Sequence, residues 1–220
     1  MVPLGSLEQH GPHLPLDTDT RIAVAVAERA CAARAGVGLA PPVAIGASGE
    51  HADFPGTLSI GTEALTLLLV ELGRHASLHW PAMLLVNGHG GNAPAIADAL
   101  RTLRAEGRQC HAWHAGLRPG MAAGDVADAH AGRTETSVML ALAPGDVRTG
   151  AAAPGDTRPL AQIMPDLRTR GVRAISRNGV LGDPSGASAA EGERLLGLLV
   201  ADLNQTLDGL LNLPLNGASA

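Results

Sequence analysis

Tyrosine is absent from this chain of 220 residues, phenylalanine occurs once and tryptophan twice. A core without large rings must be filled by Leu, Val, Ile and Ala, which suits close contact between helices and a sheet. Basic charge is in the minority: 16 Lys and Arg stand against 21 Asp and Glu, a formal net charge of -5. Such a balance offers no surface to a polyanion, so nucleic acid is excluded as a partner. Two cysteines, Cys31 and Cys110, are too few for a disulfide framework outside a secreted context and are expected to be reduced. The longest apolar stretch, around Leu65 to Val70, falls far short of the ~20 residues of a bilayer span. No charged segment followed by an apolar one marks a signal peptide. A soluble, cytoplasmic protein without a membrane partner is the expectation. Length alone suggests one domain, set here at residues 1–212, with a disordered tail over 213–220.

What is present is an alternation of strand-like and helix-like segments. Val2 to Gly5 reads as the end of a strand, and Arg21 to Arg34 as a helix with an Ala- and Val-rich inner face. Leu39 to Ile45 is a strand candidate weakened by Pro41 and Pro42. Thr62 to Leu78 is helical, with Leu65, Leu68, Leu69, Leu72 and Ala76 at helical spacing. Met83 to Val86 reads as a buried parallel strand, Ala93 to Glu106 as the next helix and Gln109 to Trp113 as a further strand. The pattern predicts an α/β fold, a single-domain three-layer α/β/α sandwich with a mostly parallel sheet. From Ala143 to Ser188 the chain is rich in Gly, Pro, Arg and Asp and reads as a long functional or mobile loop. Ser188-Ala189-Ala190-Glu191 matches a capping box, opening a helix to about Leu211.

Three segments carry chemistry. The first is Gly5-Ser6-Leu7-Glu8-Gln9-His10-Gly11-Pro12-His13-Leu14-Pro15-Leu16-Asp17-Thr18-Asp19. Glu8 and His10 are two apart and share a face in extended chain. Gly11, Pro12 and Pro15 force a turn that can bring Asp19 back over them. His and carboxylate side chains are the usual ligands of zinc and its first-row neighbours, so this stretch reads as half of a metal site. The second segment, Asn87-Gly88-His89-Gly90-Gly91-Asn92, follows the buried strand, and a His at that end faces the crevice where open α/β sheets place ligands. Its glycines lack the Lys and Ser/Thr of a P-loop and read instead as room for close backbone approach. The third, Asp128 to Ser137, brings His130 and Glu135 to the start of a helix over Thr134 to Leu142.

With these segments, and with Gly49-Glu50-His51-Ala52-Asp53-Phe54-Pro55-Gly56-Thr57 between them, the sequence resembles the creatininase (creatinine amidohydrolase) family of metal-dependent amidohydrolases over roughly residues 2 to 142. Within it, Gly56-Thr57-Leu58-Ser59-Ile60-Gly61 and Asn178-Gly179-Val180-Leu181-Gly182-Asp183-Pro184 look most like the branch of mycofactocin-system peptidases. The resemblance implies a further N-terminal segment ahead of Val2 and assembly into a closed homo-oligomer. It also implies two divalent metal ions, zinc, iron or manganese, held by Glu8, His10, Asp19 and His89, with Asp19 as the bridge. Creatininase itself has a Glu two residues after this His where the chain has Gly91, and Glu135 is the expected substitute. His130 matches a position that handles protons near the substrate, a task suited to a group with an ordinary pKa near neutrality. His130 and Glu135 are therefore the expected catalytic pair. His51, Glu50, Gly90 and Gly91 are expected at the substrate, His51 having the alternative of ordering its Gly-rich loop. Asp17 reads as a turn residue or an outer partner.

The implied reaction is hydrolysis of a C–N bond in a peptide or small amide. In the narrower branch it is removal of a C-terminal dipeptide from a modified precursor peptide, with that peptide and its maturation enzymes as partners. The alternatives are a family hydrolase of a small cyclic amide or formamide, and a non-catalytic metal-binding scaffold.

Overall fold

Three short strands, β1 (Val2–Leu4), β2 (Met83–Asn87) and β3 (Cys110–His114), pair in parallel in the order β1-β2-β3. Val2 lies opposite Leu85, and Leu85 opposite Ala112. The central strand is buried along its whole length, as a continuous apolar run covered on both faces must be. Its residues alternate between two cores. Leu84 and Val86 join Ile22 and Val26 of α1 (Thr18–Cys31), Met139 of α4 (Arg133–Leu142), and Leu196 and Leu203 of α6 (Ala189–Leu211). Met83 and Leu85 join Leu65 and Leu69 of α2 (Thr62–Ala76) and Ile96 and Leu103 of α3 (Ala93–Ala105). The result is the expected three-layer α/β/α sandwich, here in a computed structural model that describes residues 1–32, 34–116 and 128–212. The tail expected over 213–220 lies outside the described residues. No helix among them is long and apolar enough to cross a membrane.

Two expectations are corrected. Leu39 to Ile45 forms no strand: Val43 makes a single bridge to Leu4, exchanging hydrogen bonds with Gly5 and Pro3 at 2.9 Å. Pro41 and Pro42 have no N–H to extend that pairing. The segment from Ala143 to Ser188 is not one irregular loop, since it contains α5 (Leu160–Arg170) and short 3₁₀ turns. Ile163 of α5 is buried with Val172 and Leu181 and packs with Phe54 and Ala129. Leu181 also exchanges backbone hydrogen bonds with His130, at 2.8 and 3.1 Å. The segment is a cover that fixes the third chemical segment in place.

Close approach of α1 to the sheet delivers Asp19. A Cβ on Gly88, just past β2, would lie 2.3 Å from the carbonyl oxygen of Asp19, so only glycine lets the first turn of α1 sit against the strand ends. In the same layer, Ser188 caps α6 by accepting from the Glu191 amide at 3.2 Å. The Glu191 carboxylate does not return to Ser188 as a full capping box would. It accepts from Ser137 Oγ at 2.7 Å and pairs with Arg133 at 2.8 Å, tying α6 to α4. Ser188→Ala is expected to lower unfolding free energy by about 0.5–2 kcal/mol in urea titrations while leaving metal content unchanged. A loss of metal in that variant would mean that the α4–α6 tie reaches the site.

Candidate metal centre

The loop after β1 folds back on itself, Glu8 N–H donating to Leu16 O at 2.9 Å. Glu8 and His10 are thereby buried beneath the first turn of α1, where Asp19 is 2% exposed. Asp19 is the hub. Its Oδ1 lies 3.1 Å from His10 Nε2, and its Oδ2 lies 3.1 Å from His89 Nδ1 and accepts from Ser6 Oγ at 2.7 Å. His89 Nε2 lies 3.1 Å from Glu8 Oε2. Glu135, from the first turn of α4, brings Oε2 to 3.9 Å from His10 Nε2 and accepts from the Ala131 amide at 2.6 Å. Ala131 holds a left-handed backbone, φ 52°, a conformation that costs an alanine about 1–2 kcal/mol. It lies directly between His130 and the helix that carries Glu135.

The ligand residues expected from three distant segments thus meet at one place. Glu8, Asp19 and His89 offer ligand atoms within 4.8 Å of one another, as do His10, Asp19 and Glu135, and the two groups share Asp19. Glu8, His10 and His130 form a third such group. Asp17 is elsewhere, paired with Arg21 at 2.8 Å on the surface and outside the donor groups. His51 is buried against Glu8, with Nε2 3.3 Å from Oε1. Glu50 Oε1 lies 3.4 Å from His89 Nε2 at the rim. Gly90 is exposed with open space where a Cβ would be, whereas Gly91 is hemmed in.

Four residues that sequence reasoning passed over hold this arrangement. Ser6 donates to Asp19. Gln9 Nε2 reaches His51 Nδ1 at 2.8 Å and donates to Gly179 O at 3.2 Å. Asn92 ties Gly5 O, Asn87 Oδ1 and the Ala47 amide together at 2.8–3.0 Å. Asn87 also donates to His89 O at 2.7 Å. Ser6 and Gln9 stand inside the first motif and Asn87 and Asn92 bound the second, so their positions were visible although their partners were not.

The electrostatics fit a bound cation. Both carboxylate oxygens of Glu8 are buried and accept no hydrogen bond, although the His51 and His89 imidazoles lie 3.3 and 3.1 Å away. A buried anion that accepts no hydrogen bond is costly, and a divalent ion would satisfy it. Burial opposes charge on His10, yet Asp19, Glu135 and Glu8 outweigh it and push its pKa up to about 10. His89 is likewise raised well above an ordinary imidazole, with burial overcome by Glu8, Asp19 and Glu50. Burial also works against charge on Asp19, but His10 and His89 hold its carboxyl well below the usual range. In Glu135, burial dominates the attraction of His10 and lifts the pKa to about 7. His130 is pushed well below an ordinary imidazole by burial and by the neighbouring His10 and His51. Without metal, protons on His10 and His89 thus supply the positive charge that the carboxylates demand.

Buried carboxylates and imidazoles at the strand ends of a parallel sheet are the donor set of a metal-dependent hydrolase. The chain belongs to the creatininase family: the family model, creatinine amidohydrolase, matches residues 1–207. It is 56% identical over 206 residues to the mycofactocin precursor peptide peptidase of Mycolicibacterium smegmatis, covering 91% of this chain and 80% of that protein. Identity to the creatinine amidohydrolase of Pseudomonas putida is 31% over 227 residues, covering 91% and 85%. Among solved structures, a mutant creatininase complexed with creatine superposes with a TM-score of 0.78 at 28% identity, covering 97% of this chain and 91% of the other. A Mn creatininase matches with the same score at 27% identity, covering 97% and 91%. The chain is accordingly a metal-dependent amidohydrolase acting on amide bonds.

Because a metal must displace the protons on His10 and His89, binding should release protons and tighten as pH rises. Zinc titrated into chelator-stripped protein in buffers of different ionisation enthalpy should show net proton release at pH 7. Affinity is expected to climb between pH 6 and pH 8. Binding that is independent of pH over that range would contradict the charge assignment.

Proposed function

We propose that this amidohydrolase removes a C-terminal dipeptide from the modified mycofactocin precursor peptide, using two divalent metal ions. The observation that carries the substrate is the 56% identity to a mycofactocin precursor peptide peptidase, against 31% to a creatinine amidohydrolase. The observation that supports two ions is that Asp19 belongs to both donor groups. Glu8 and His89 would hold one ion with Asp19, and His10 and Glu135 the other. Zinc, iron and manganese all suit such a set. A divalent metal, when bound, supplies Lewis acidity toward a carbonyl and lowers the pKa of water to about 7.

The remaining work falls to the chain's own residues. His130 Nε2–H donates to Gln9 O at 2.8 Å, and a carbonyl only accepts, so the tautomer leaves the lone pair on Nδ1. That nitrogen faces the centre, 3.8 Å from Glu8 Oε1. Burial keeps the ring neutral. His130 therefore takes a proton from the attacking water at Nδ1 and returns it to the departing nitrogen, acting as base and then as acid. The exposed Gly90 leaves open space beside His89 for a peptide backbone.

The test is mass spectrometry of maturase-treated precursor peptide incubated with metal-loaded protein. Release of the dipeptide is expected, stopped by chelation and restored by zinc, iron or manganese. Cleavage of creatinine or a formamide in its place would move the chain to the small-amide reading, and no cleavage of any amide would favour a scaffold. His130→Ala is expected to keep its metal and lose about 10²–10⁴-fold in single-turnover rate. Loss of metal in that variant would make His130 a ligand, the role its grouping with Glu8 and His10 would otherwise offer.

A further inference from the structure

His89 faces carboxylates at both nitrogens, but a backbone carbonyl at only one. Nδ1 faces the Asp19 carboxylate at 3.1 Å. Nε2 hydrogen-bonds to Ala47 O at 3.2 Å, with Glu8 Oε2 at 3.1 Å, Ser48 Oγ at 3.4 Å and Glu50 Oε1 at 3.4 Å beside it. A backbone carbonyl can only accept, so Nε2 keeps its proton and Nδ1 is the nitrogen with a lone pair to give a cation. Histidines that ligate metals in this way almost always donate their other N–H to a carbonyl or carboxylate, which fixes the ring and raises its basicity.

Glu50 reaches that nitrogen from the short turn Gly49–His51. It passes over Gly91. A Cβ on residue 91 would lie 2.2 Å from Glu50 Oε1, 2.4 Å from His89 Nε2 and 2.6 Å from Ala47 O. Gly91 is not among the residues with a left-handed backbone, so what this glycine supplies is room. With Glu50 included, the centre holds four carboxylates, Glu8, Asp19, Glu50 and Glu135, which match the charge of two divalent ions.

We propose that Glu50 is a positioning residue for the metal-binding His89, not a substrate contact, and that Gly91 is bare in order to admit its carboxylate. The inference rests on the two-metal reading of the site. It replaces the expectation that Glu50 and Gly91 serve the substrate.

The experiment titrates zinc or manganese chloride into chelator-stripped wild type, Glu50→Gln and Glu50→Asp, alongside thermal melts with and without metal and steady-state kinetics at saturating metal. Glu50→Gln is expected to weaken one metal equivalent by about 10–100-fold, with a smaller metal-induced rise in Tm. KM and the metal-free Tm are expected to stay at wild-type values. Glu50→Asp should fall between the two. Unchanged metal affinity with a raised KM would return Glu50 to the substrate and overturn the proposal. A fall in the metal-free Tm that accounts for the whole change would make Glu50 merely structural, with the same result. If wild type retains both metals while Glu50→Gln binds them equally well, only this inference fails. A wild type that binds no metal would remove the two-metal reading along with it.

Discussion

A single buried carboxylate organises this protein. Asp19 is 2% exposed, yet it stays ionised because His10 and His89 face its two oxygens. Its place in the first turn of α1 adds the favourable end of the helix dipole. Everything around it serves that meeting. The loop from Gly5 to Asp17 folds back to bring Glu8 and His10 beneath the helix. Gly88 lets the helix touch the strand ends, and β2 presents His89 from the other side. Burying so many ionisable groups together is unfavourable for folding unless their charges are matched. Protons match them in the metal-free protein, and divalent ions would do so more completely.

The two halves of the centre have different support. Glu8, Asp19 and His89 rest on the sheet and on α1, elements packed into both cores. His130 and Glu135 depend on α4 and on the covering segment between Ala143 and Ser188. That segment pins His130 through Leu181 and packs with Phe54 beside the turn that carries Glu50. The cover is held by a small cluster, Ile163, Val172 and Leu181 with their neighbours, and by Val147 and Val180, which join the core of α1, α4 and α6.

Much of this was legible in the amino-acid order. The alternation of apolar strands and amphipathic helices sufficed for the layers, because β2 is a continuous apolar run and Leu65 and Leu69 recur on one face of α2. The ligand set was legible because Glu8, His10 and Asp19 are packed into a Gly/Pro turn where no apolar period explains them. Helix α5 was not, since Ile163 is its only buried residue and Pro165 interrupts its pattern. Ser6, Gln9 and Asn92 were missed because their partners, Asp19, Gly179 and Gly5, are defined by long-range folding. Glu50 illustrates the limit most clearly. What its carboxylate meets is decided by a side chain that residue 91 does not have.

The central claim is that Asp19 joins two metal ions, and anomalous diffraction from crystals of the manganese-loaded protein tests it most directly. The account predicts two anomalous peaks about 3.5–4 Å apart, with one Asp19 oxygen on each, Glu8 and His89 at the first and His10 and Glu135 at the second. A single peak, or two peaks of which Asp19 touches only one, would contradict it.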